Sequence, residues 1–411
     1  MSRSVDEATD NPPSEAIVPN ETAGLPRVSA AISLGTTETG EAARRACGGP
    51  ARDPVEVTHD GPVFDPPPFH PARPGLVAPV RIDPTGRTGP TRAQARGPHW
   101  RRVAHGWYVP AHVDLDDPLQ RIVEASVLLP AYGGVTGWAG LRWLYGRWFD
   151  GVTDDGRTRL PVTLATGGQT VRQQRGMAIS EETLPPGELV VVDGLSITRP
   201  LRSACFEMRY AESDERAARV LDMAAYSDLV SIGEMTAYVH GLTAMTGVPR
   251  CRRALPLADK NSWSPRESRM RMAWERENGL PRPLCNVPVF DRTGHHVGTP
   301  DLLDPVAGVV GEYDGGLHLA ASRRARDLRR EHEFRHLGLE YVTMIASDQD
   351  DLSGFLARLQ STYRRARHEP PDQRRWTIEP PPWWVPTCTV EQRRALDSVA
   401  RDRLLAHRRS A

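Results

Sequence analysis

Residues 300–318 of the chain read PDLLDPVAGVVGEYDGGLH, with two apolar runs on either side of a turn sequence. The runs predict two β-strands, because apolar and β-branched residues favour strands and the proline and glycine between them favour a turn. If residues 305–308 form the loop of this hairpin, Asp304 pairs with Val309. That pairing decides which side chains share a face, because alternate residues of a strand point to opposite faces.

The hairpin register brings acidic residues together. Asp301 falls opposite Glu312, and Asp314, two residues beyond Glu312, points to the same face. Like charges in such positions destabilise a sheet unless something compensates them, and a hard divalent cation such as Mg²⁺ or Mn²⁺ does so with oxygen ligands. The pattern therefore predicts a metal site whose ligands are Asp301, Glu312 and Asp314. Each aspartate alone is also typical of an ordinary turn, as is Asp304.

The neighbouring segments complete an α/β module of about 100 residues. Its order is α-β-β-β-α-β-α, with elements expected at residues 264–278, 287–290, 297–303, 309–313, 322–337, 339–345 and 350–366. The first helix begins with the capping box Ser264-Pro265-Arg266-Glu267. Glu267 lies on the apolar side of that helix, so it is expected either to orient a water at the metal site or only to complete the cap. His318, beyond the third strand, is a candidate for proton transfer or a structural residue.

The helix expected at residues 322–337 is rich in arginine. Arg323, Arg326 and Arg330 are candidates for contacts with the DNA backbone, because a guanidinium forms bidentate hydrogen bonds with phosphate. Glu331 and other acidic residues partly neutralise this helix, so a solvated face with internal ion pairs is the alternative.

The remainder of the 411-residue chain suggests a soluble cytoplasmic protein. Residues 1–75 form an acidic, Pro-rich segment that is expected to be a disordered tail, and residues 88–245 suggest a mixed α+β domain. Residues 369–411 suggest a Pro/Trp-rich linker followed by an amphipathic helix that packs on the body of the protein. The five cysteines form no C-x-x-C pair, and no apolar run is long enough to cross a membrane. Nucleotide-binding loops, zinc-protease motifs and serine-hydrolase motifs are also missing from the sequence.

Residues 264–366 resemble the PD-(D/E)XK nuclease superfamily, and within it an uncharacterised branch similar to very-short-patch-repair endonucleases. The matching residues are Glu267, Asp301, Glu312, Asp314, Gly315 and His318. The resemblance implies a restriction-endonuclease-like fold and hydrolysis of DNA with Mg²⁺. Asp314 occupies the position of a lysine in the general pattern of the superfamily, as it does in that branch, so His318 is the preferred candidate for activating the attacking water.

Residues 90–145 are similar to the N-terminal part of actinobacterial proteins labelled as AbiEi-type antitoxins of abortive-infection systems. That similarity implies a winged-helix piece that binds DNA, whereas a small folded scaffold with Trp100 and Trp107 in its core is the alternative. The sequence thus leads to two hypotheses. The chain is either a Mg²⁺-dependent DNA endonuclease acting in DNA repair or phage defence, or a non-catalytic DNA-binding regulator or antitoxin that keeps a nuclease fold.

Overall fold

A computed structural model describes residues 73–185, 187–276, 279–315 and 321–410, without the side chains of residues 321–327, 409 and 410. Residues 1–72, which make up nearly all of the expected tail, lie outside the described residues, as does His318. The described chain is a mixed α/β unit, in agreement with the fold class expected from the sequence. No helix in this part of the chain has the length and apolar character needed to span a bilayer.

The N-terminal part contains two sheets among the described residues. Its strands are β1 (Val80–Arg81), β2 (Trp100–Ala104), β3 (Trp107–Pro110), β4 (Gly134–Thr136), β5 (Val162–Ala165), β6 (Met177–Ser180), β7 (Leu189–Val192) and β8 (Leu195–Thr198). The sheet orders are β1-β3-β2 and β6-β5-β4-β8-β7. The structure here begins before residue 88, the expected start of the domain, because Leu76, Ala78 and Val80 are already buried.

Helices cover these sheets. They are α1 (Pro118–Ser126), α2 (Gly137–Trp143), α3 (Pro200–Tyr210), α4 (Asp214–Tyr226), α5 (Ile232–His240) and α6 (Val248–Ala254). Of these, α1, α4 and α5 begin at residues whose side chains cap them. The Asp117 carboxylate accepts a hydrogen bond from the Leu119 N–H, which is the cap expected at the start of α1. Asp228, which adopts a positive φ of 58°, separates α4 from α5.

The C-terminal part follows the expected order with additional short strands. Its helices are α7 (Pro265–Arg276), α8 (Ala321–His336), α9 (Ser353–Arg365), α10 (Val390–Arg394), α11 (Ser398–Leu404) and α12 (His407–Ser410). Its strands are β9 (Leu284–Cys285), β10 (Val289–Asp291), β11 (His296–Gly298), β12 (Leu302–Asp304), β13 (Val309–Asp314), β14 (Glu340–Ile345) and β15 (Trp376–Thr377). The strand expected over residues 297–303 is thus divided between β11 and β12.

The central sheet of this part has the order β14-β13-β12-β9. β12 and β13 are antiparallel, and Asp304 pairs with Val309 as the sequence predicted, whereas β13 and β14 are parallel. One face packs on α7 and α9 through a core that includes Trp274 and Phe355. The other face packs on α8 through a core that includes Val310 and Phe334. The sheet therefore lies between two helical layers, and β10, β11 and β15 form a second sheet beside the α8 layer.

A glycine on β13 allows α7 to approach the sheet. A Cβ added to Gly311 would lie 2.7 Å from Cζ3 of the Trp274 ring, which is fully buried. The adjacent residue of the strand is Glu312, so this close approach brings the helix that carries Glu267 near the acidic end of β13.

Helix α7 also joins the two parts of the structure. Met272 packs into the N-terminal core, whereas Met270 and Trp274 pack into the C-terminal core. Between them, Arg271 donates to Asp222 of α4 at 3.1 Å, and both side chains are fully buried. Burial raises the pKa of Asp222 to about 6, while the Arg271 charge opposes that rise.

The C-terminal residues pack on the body of the protein, as the sequence predicted, but as short helices instead of one. Arg393 of α10 is fully buried and donates to the Asp228 carboxylate at 2.6 Å. Asp397 caps the second of these helices, α11, since its carboxylate accepts a hydrogen bond from the Ala400 N–H.

Candidate functional site

The hairpin register positions Asp301 beside Glu312. Leu302 pairs with Gly311, and one further residue along the ladder Asp301 comes opposite Glu312. Oδ2 of Asp301 accepts a hydrogen bond of 2.7 Å from the backbone N–H of Tyr313, so this side chain stands where a ladder bond would otherwise form. This arrangement fixes the Asp301 carboxylate against the strand that carries Glu312.

Glu312 is 7% exposed and interacts with an arginine from the helix that follows. Nη2 of Arg330 donates to Oε2 of Glu312. The Arg330 side chain crosses β11 at Gly298, where an added Cβ would lie 3.2 Å from its Cδ atom. The guanidinium that the sequence suggested for DNA phosphate therefore contacts a carboxylate of the site in this structure.

Glu267 is buried at the start of α7, and its side chain accepts two hydrogen bonds. Oε2 of Glu267 accepts from the backbone N–H of Trp263 at 2.8 Å and from Nδ2 of Asn286 at 2.7 Å. Its own N–H donates to the Ser264 hydroxyl at 3.2 Å, as in a helix cap. Burial, together with the negative charge of Asp301, raises the pKa of Glu267 to about 8. Glu267 thus has a capping contact and also lies within the electrostatic reach of Asp301.

Asn286 connects these groups, although the sequence analysis did not identify it. Its side chain donates to Glu267, and its backbone N–H donates to the carbonyl oxygen of Asp301 at 3.0 Å. The residue is 2% exposed and adopts a positive φ of 48°. Asparagine tolerates this conformation better than most residues, which is the one local signal that could have drawn attention to it.

The structure describes the other expected site residues only in part. Asp314 ends β13 and is partly exposed, in the alternating position that the sequence predicted. His318 lies outside the described residues, and for Arg323 and Arg326 the structure describes the backbone of α8 without the side chains. The structure therefore brings together Glu267, Asp301 and Glu312.

Two further residues, Asp304 and Tyr341, lie on the strands that flank β13. Asp304 is a turn residue, since its carboxylate accepts hydrogen bonds from the N–H groups of Val306 and Ala307. Tyr341 on β14 lies on the other side of Glu312, where burial and then the Glu312 charge raise the pKa of its phenol. No local pattern in the sequence points to this tyrosine, because its position depends on the parallel pairing of β13 with β14.

The donor set can be compared with the needs of a divalent cation. Mg²⁺ in proteins is commonly bound through one or two carboxylates, with water and substrate phosphate in the remaining positions. Asp301 and Glu312 offer carboxylates from neighbouring strands, which fits that requirement. Among the described residues, no group of three or more His, Cys, Asp or Glu side chains is arranged to hold a metal ion. Two carboxylates leave the remaining ligand positions of such an ion to other groups, and Arg330 contacts one of the two carboxylates in this structure.

Comparisons with known proteins add no assignment. Neither the models of protein families nor the curated proteins and solved structures include a match to this chain.

Proposed function

We propose that this chain is a divalent-metal-dependent DNA endonuclease whose residues 264–366 form a PD-(D/E)XK-like module. One observation carries the proposal. The Asn286 side chain donates a hydrogen bond to the Glu267 carboxylate, and the Asn286 backbone N–H donates one to the Asp301 carbonyl oxygen. The Asp301 carboxylate in turn accepts one from the Tyr313 N–H, on the strand that carries Glu312. Acidic side chains from a helix and from two strands are thereby held at one edge of a sheet, in the order expected from the resemblance.

Asp301 and Glu312 would hold the cation, and Asp314 would support it from the end of β13. A bound Mg²⁺ or Mn²⁺ supplies positive charge that polarises a phosphodiester oxygen and promotes attack by water. The chain itself contributes the position of these oxygens. The Tyr313 N–H fixes one Asp301 oxygen. The guanidinium of Arg330, once displaced from Glu312, is then available to the phosphate.

Glu267 would exchange a proton with the attacking water. Since its pKa is raised to about 8, the carboxyl is largely protonated at neutral pH and titrates near the working range of a general acid or base. Because Oε2 accepts two N–H donors, the proton resides on Oε1. His318 is proposed as the second group in proton transfer.

Contacts with the DNA backbone would come from arginines around the acidic edge. Arg323, Arg326 and Arg330 on α8 are the proposed phosphate ligands. Arg266, exposed in the first turn of α7, has its guanidinium 5.9 Å from the centre of the Tyr313 ring and extends this basic surface on the other side of β13. Residues 88–245, with the proposed winged-helix piece, would position the duplex.

A second function is favoured by one specific contact. The ion pair between Arg330 and Glu312 supplies a positive charge at the place proposed for the metal. A non-catalytic DNA-binding regulator or antitoxin that keeps a nuclease fold would have such an internal cation in place of Mg²⁺. This alternative predicts salt-sensitive DNA binding without nicking or uptake of Mn²⁺.

Cleavage of supercoiled plasmid and linear duplex, with Mg²⁺, with Mn²⁺ and with chelator, tests the first proposal. We expect nicking that requires the metal and that is lost in Asp301→Asn and in Glu312→Gln. Glu333→Gln is the matched control, because Glu333 is exposed on α8. Nicking that persists in Asp301→Asn and Glu312→Gln would place the chemistry elsewhere.

Calorimetric titration with Mn²⁺ separates the two functions. An endonuclease site should bind Mn²⁺ with a heat that disappears in Glu312→Gln and remains in Glu333→Gln. DNA binding by a protein that shows no such heat, and no cleavage, would favour the regulator.

A further inference from the structure

A cavity of about 650 Å³ lies next to the acidic site. Its walls come from the connector before α7, from the central part of the module, and from the C-terminal residues that fold back on the body. Asn286 and Arg330 belong to both places, since each lines the cavity and each contacts a carboxylate of the site. A group bound in the cavity would therefore lie within reach of the acidic edge of β13.

Aromatic rings line this cavity. The ring centres of Trp263 and His407 are 4.5 Å apart. The ring centres of His296 and Trp384 are 4.9 Å apart, and Trp383 next to them is 61% exposed. Burial lowers the pKa of both imidazoles and so favours their uncharged forms. Such uncharged rings provide flat faces on which a planar heterocycle can stack.

The polar groups of the cavity complement a nucleotide. Oδ1 of Asn286 is buried and accepts no hydrogen bond from any described residue, so it can accept one from an amino or imino group. Arg330 and Arg403 also line the cavity, and their guanidinium groups suit a phosphate. Aromatic faces, a buried acceptor and nearby guanidinium groups are the combination that proteins use for an unstacked base and its backbone.

We propose that this cavity receives one unstacked nucleotide of the DNA strand whose backbone enters the acidic site. The base stacks on Trp384 and the rings near it, while Arg330 holds the neighbouring phosphate. The cavity is lined mainly by apolar surface and has the volume of ordinary ligand sites, which suits a base better than a hydrated ion. This inference rests on the proposed endonuclease function. It assigns residues 383–407 to substrate recognition as well as to packing.

Binding measured without metal tests the cavity apart from cleavage. The full chain would be titrated, in chelator, against an end-labelled duplex with one unpaired adenine and against the same duplex fully paired. We expect preference for the unpaired duplex. Loss of one stacked base weakens binding roughly 5- to 150-fold, so Trp384→Ala should lose that preference by a similar factor. Trp384→Phe should keep most of it, and Val306→Ala, which shortens an exposed apolar side chain in the loop between β12 and β13, should keep all of it.

Each outcome decides the proposal. Equal binding of the two duplexes by the wild type, or a preference that survives in Trp384→Ala, would overturn it. If Trp384→Ala does not fold, Trp383→Ala provides the same comparison at an exposed position. A free mononucleotide such as dAMP that binds as tightly as the unpaired duplex would assign the cavity to a free nucleotide and refute the assignment to the DNA strand. If the wild type shows this preference but does not cleave DNA with Mg²⁺ or Mn²⁺, the proposed endonuclease activity is refuted and the nucleotide cavity is not.

Discussion

Arg330 and Glu312 form an ion pair between α8 and β13, with Nη2 of the arginine donating to Oε2 of a glutamate that is 7% exposed. A buried carboxylate needs a positive partner, and either a guanidinium or a divalent cation can fill that role. In the proposed endonuclease, exchange between the two would link metal binding to the position of an arginine beside the DNA.

Removal of this arginine should make the protein depend on the metal. Arg330→Ala leaves the Glu312 charge without its guanidinium, so we expect the free energy of unfolding to fall by about 1–3 kcal/mol in chelator. Added Mn²⁺ should restore part of that loss, which thermal unfolding with and without the ion would measure. Arg335→Ala is the control, since Arg335 is exposed and pairs with Glu331 at the surface. A melting temperature of Arg330→Ala that does not respond to Mn²⁺ would argue against a cation at Glu312.

Titration of Glu267 should appear in the stability of the protein. Its pKa rises from 4.5 to about 8 on folding, so the folded state holds a proton that the unfolded state releases between these values. The resulting stabilisation is complete below pH 4.5 and is lost as the pH rises to 8, by up to about 1.4 kcal/mol per pH unit. Chemical denaturation across this range should show that slope in the wild type and a smaller slope in Glu267→Gln. Identical slopes would contradict a raised pKa, and Glu333→Gln should match the wild type.

Substitution of Asn286 should separate its backbone role from its side-chain role. Asn286→Ala loses the hydrogen bonds to Glu267 and to the Asn261 carbonyl and keeps a Cβ at a positive φ, a conformation that asparagine tolerates better than alanine. Asn286→Gly loses the same hydrogen bonds without that strain, so we expect it to be more stable than Asn286→Ala by about 1 kcal/mol. Equilibrium denaturation in urea would measure the difference. Equal stability of the two variants would mean that the backbone conformation at this position relaxes.

Gly311 should be intolerant of a methyl group. The added Cβ of Gly311→Ala would meet the buried ring of Trp274 at 2.7 Å, and such overpacking typically costs about 1–3 kcal/mol. Gly233→Ala is the matched control, because the nearest atom to its added Cβ is 3.9 Å away and its backbone is helical. We expect thermal unfolding to show a clear loss for the first variant and no loss for the second.

The sequence predicted the local features of the module better than it predicted which strands pair with one another. The register of β12 and β13 followed from Asp304, the four-residue loop and the alternation of the strands. By contrast, β9 and β15 consist of two residues each, which is too short to show a periodicity. The interruption between β11 and β12 follows Gly298 and includes Pro300, and it divides the single strand expected over residues 297–303.

The site was predictable to a similar extent. The carboxylates could be identified because two of them belong to one hairpin and a third belongs to a helix cap. The contact of Arg330 with Glu312 joins residues 18 positions apart on different elements, and the link through Asn286 depends on how β9 approaches α7. Such contacts arise from tertiary packing, which no local pattern encodes.

Met272 of α7 packs into the N-terminal core, and Arg271 of the same helix pairs with Asp222 of α4. We therefore expect the two parts of the chain to unfold as one cooperative unit. A fragment that begins at residue 264 would expose a methionine and would leave a fully buried guanidinium without the Asp222 carboxylate. Dissection of the protein by truncation is thus expected to yield aggregation-prone pieces, and its activities are best separated by point substitution in the intact chain.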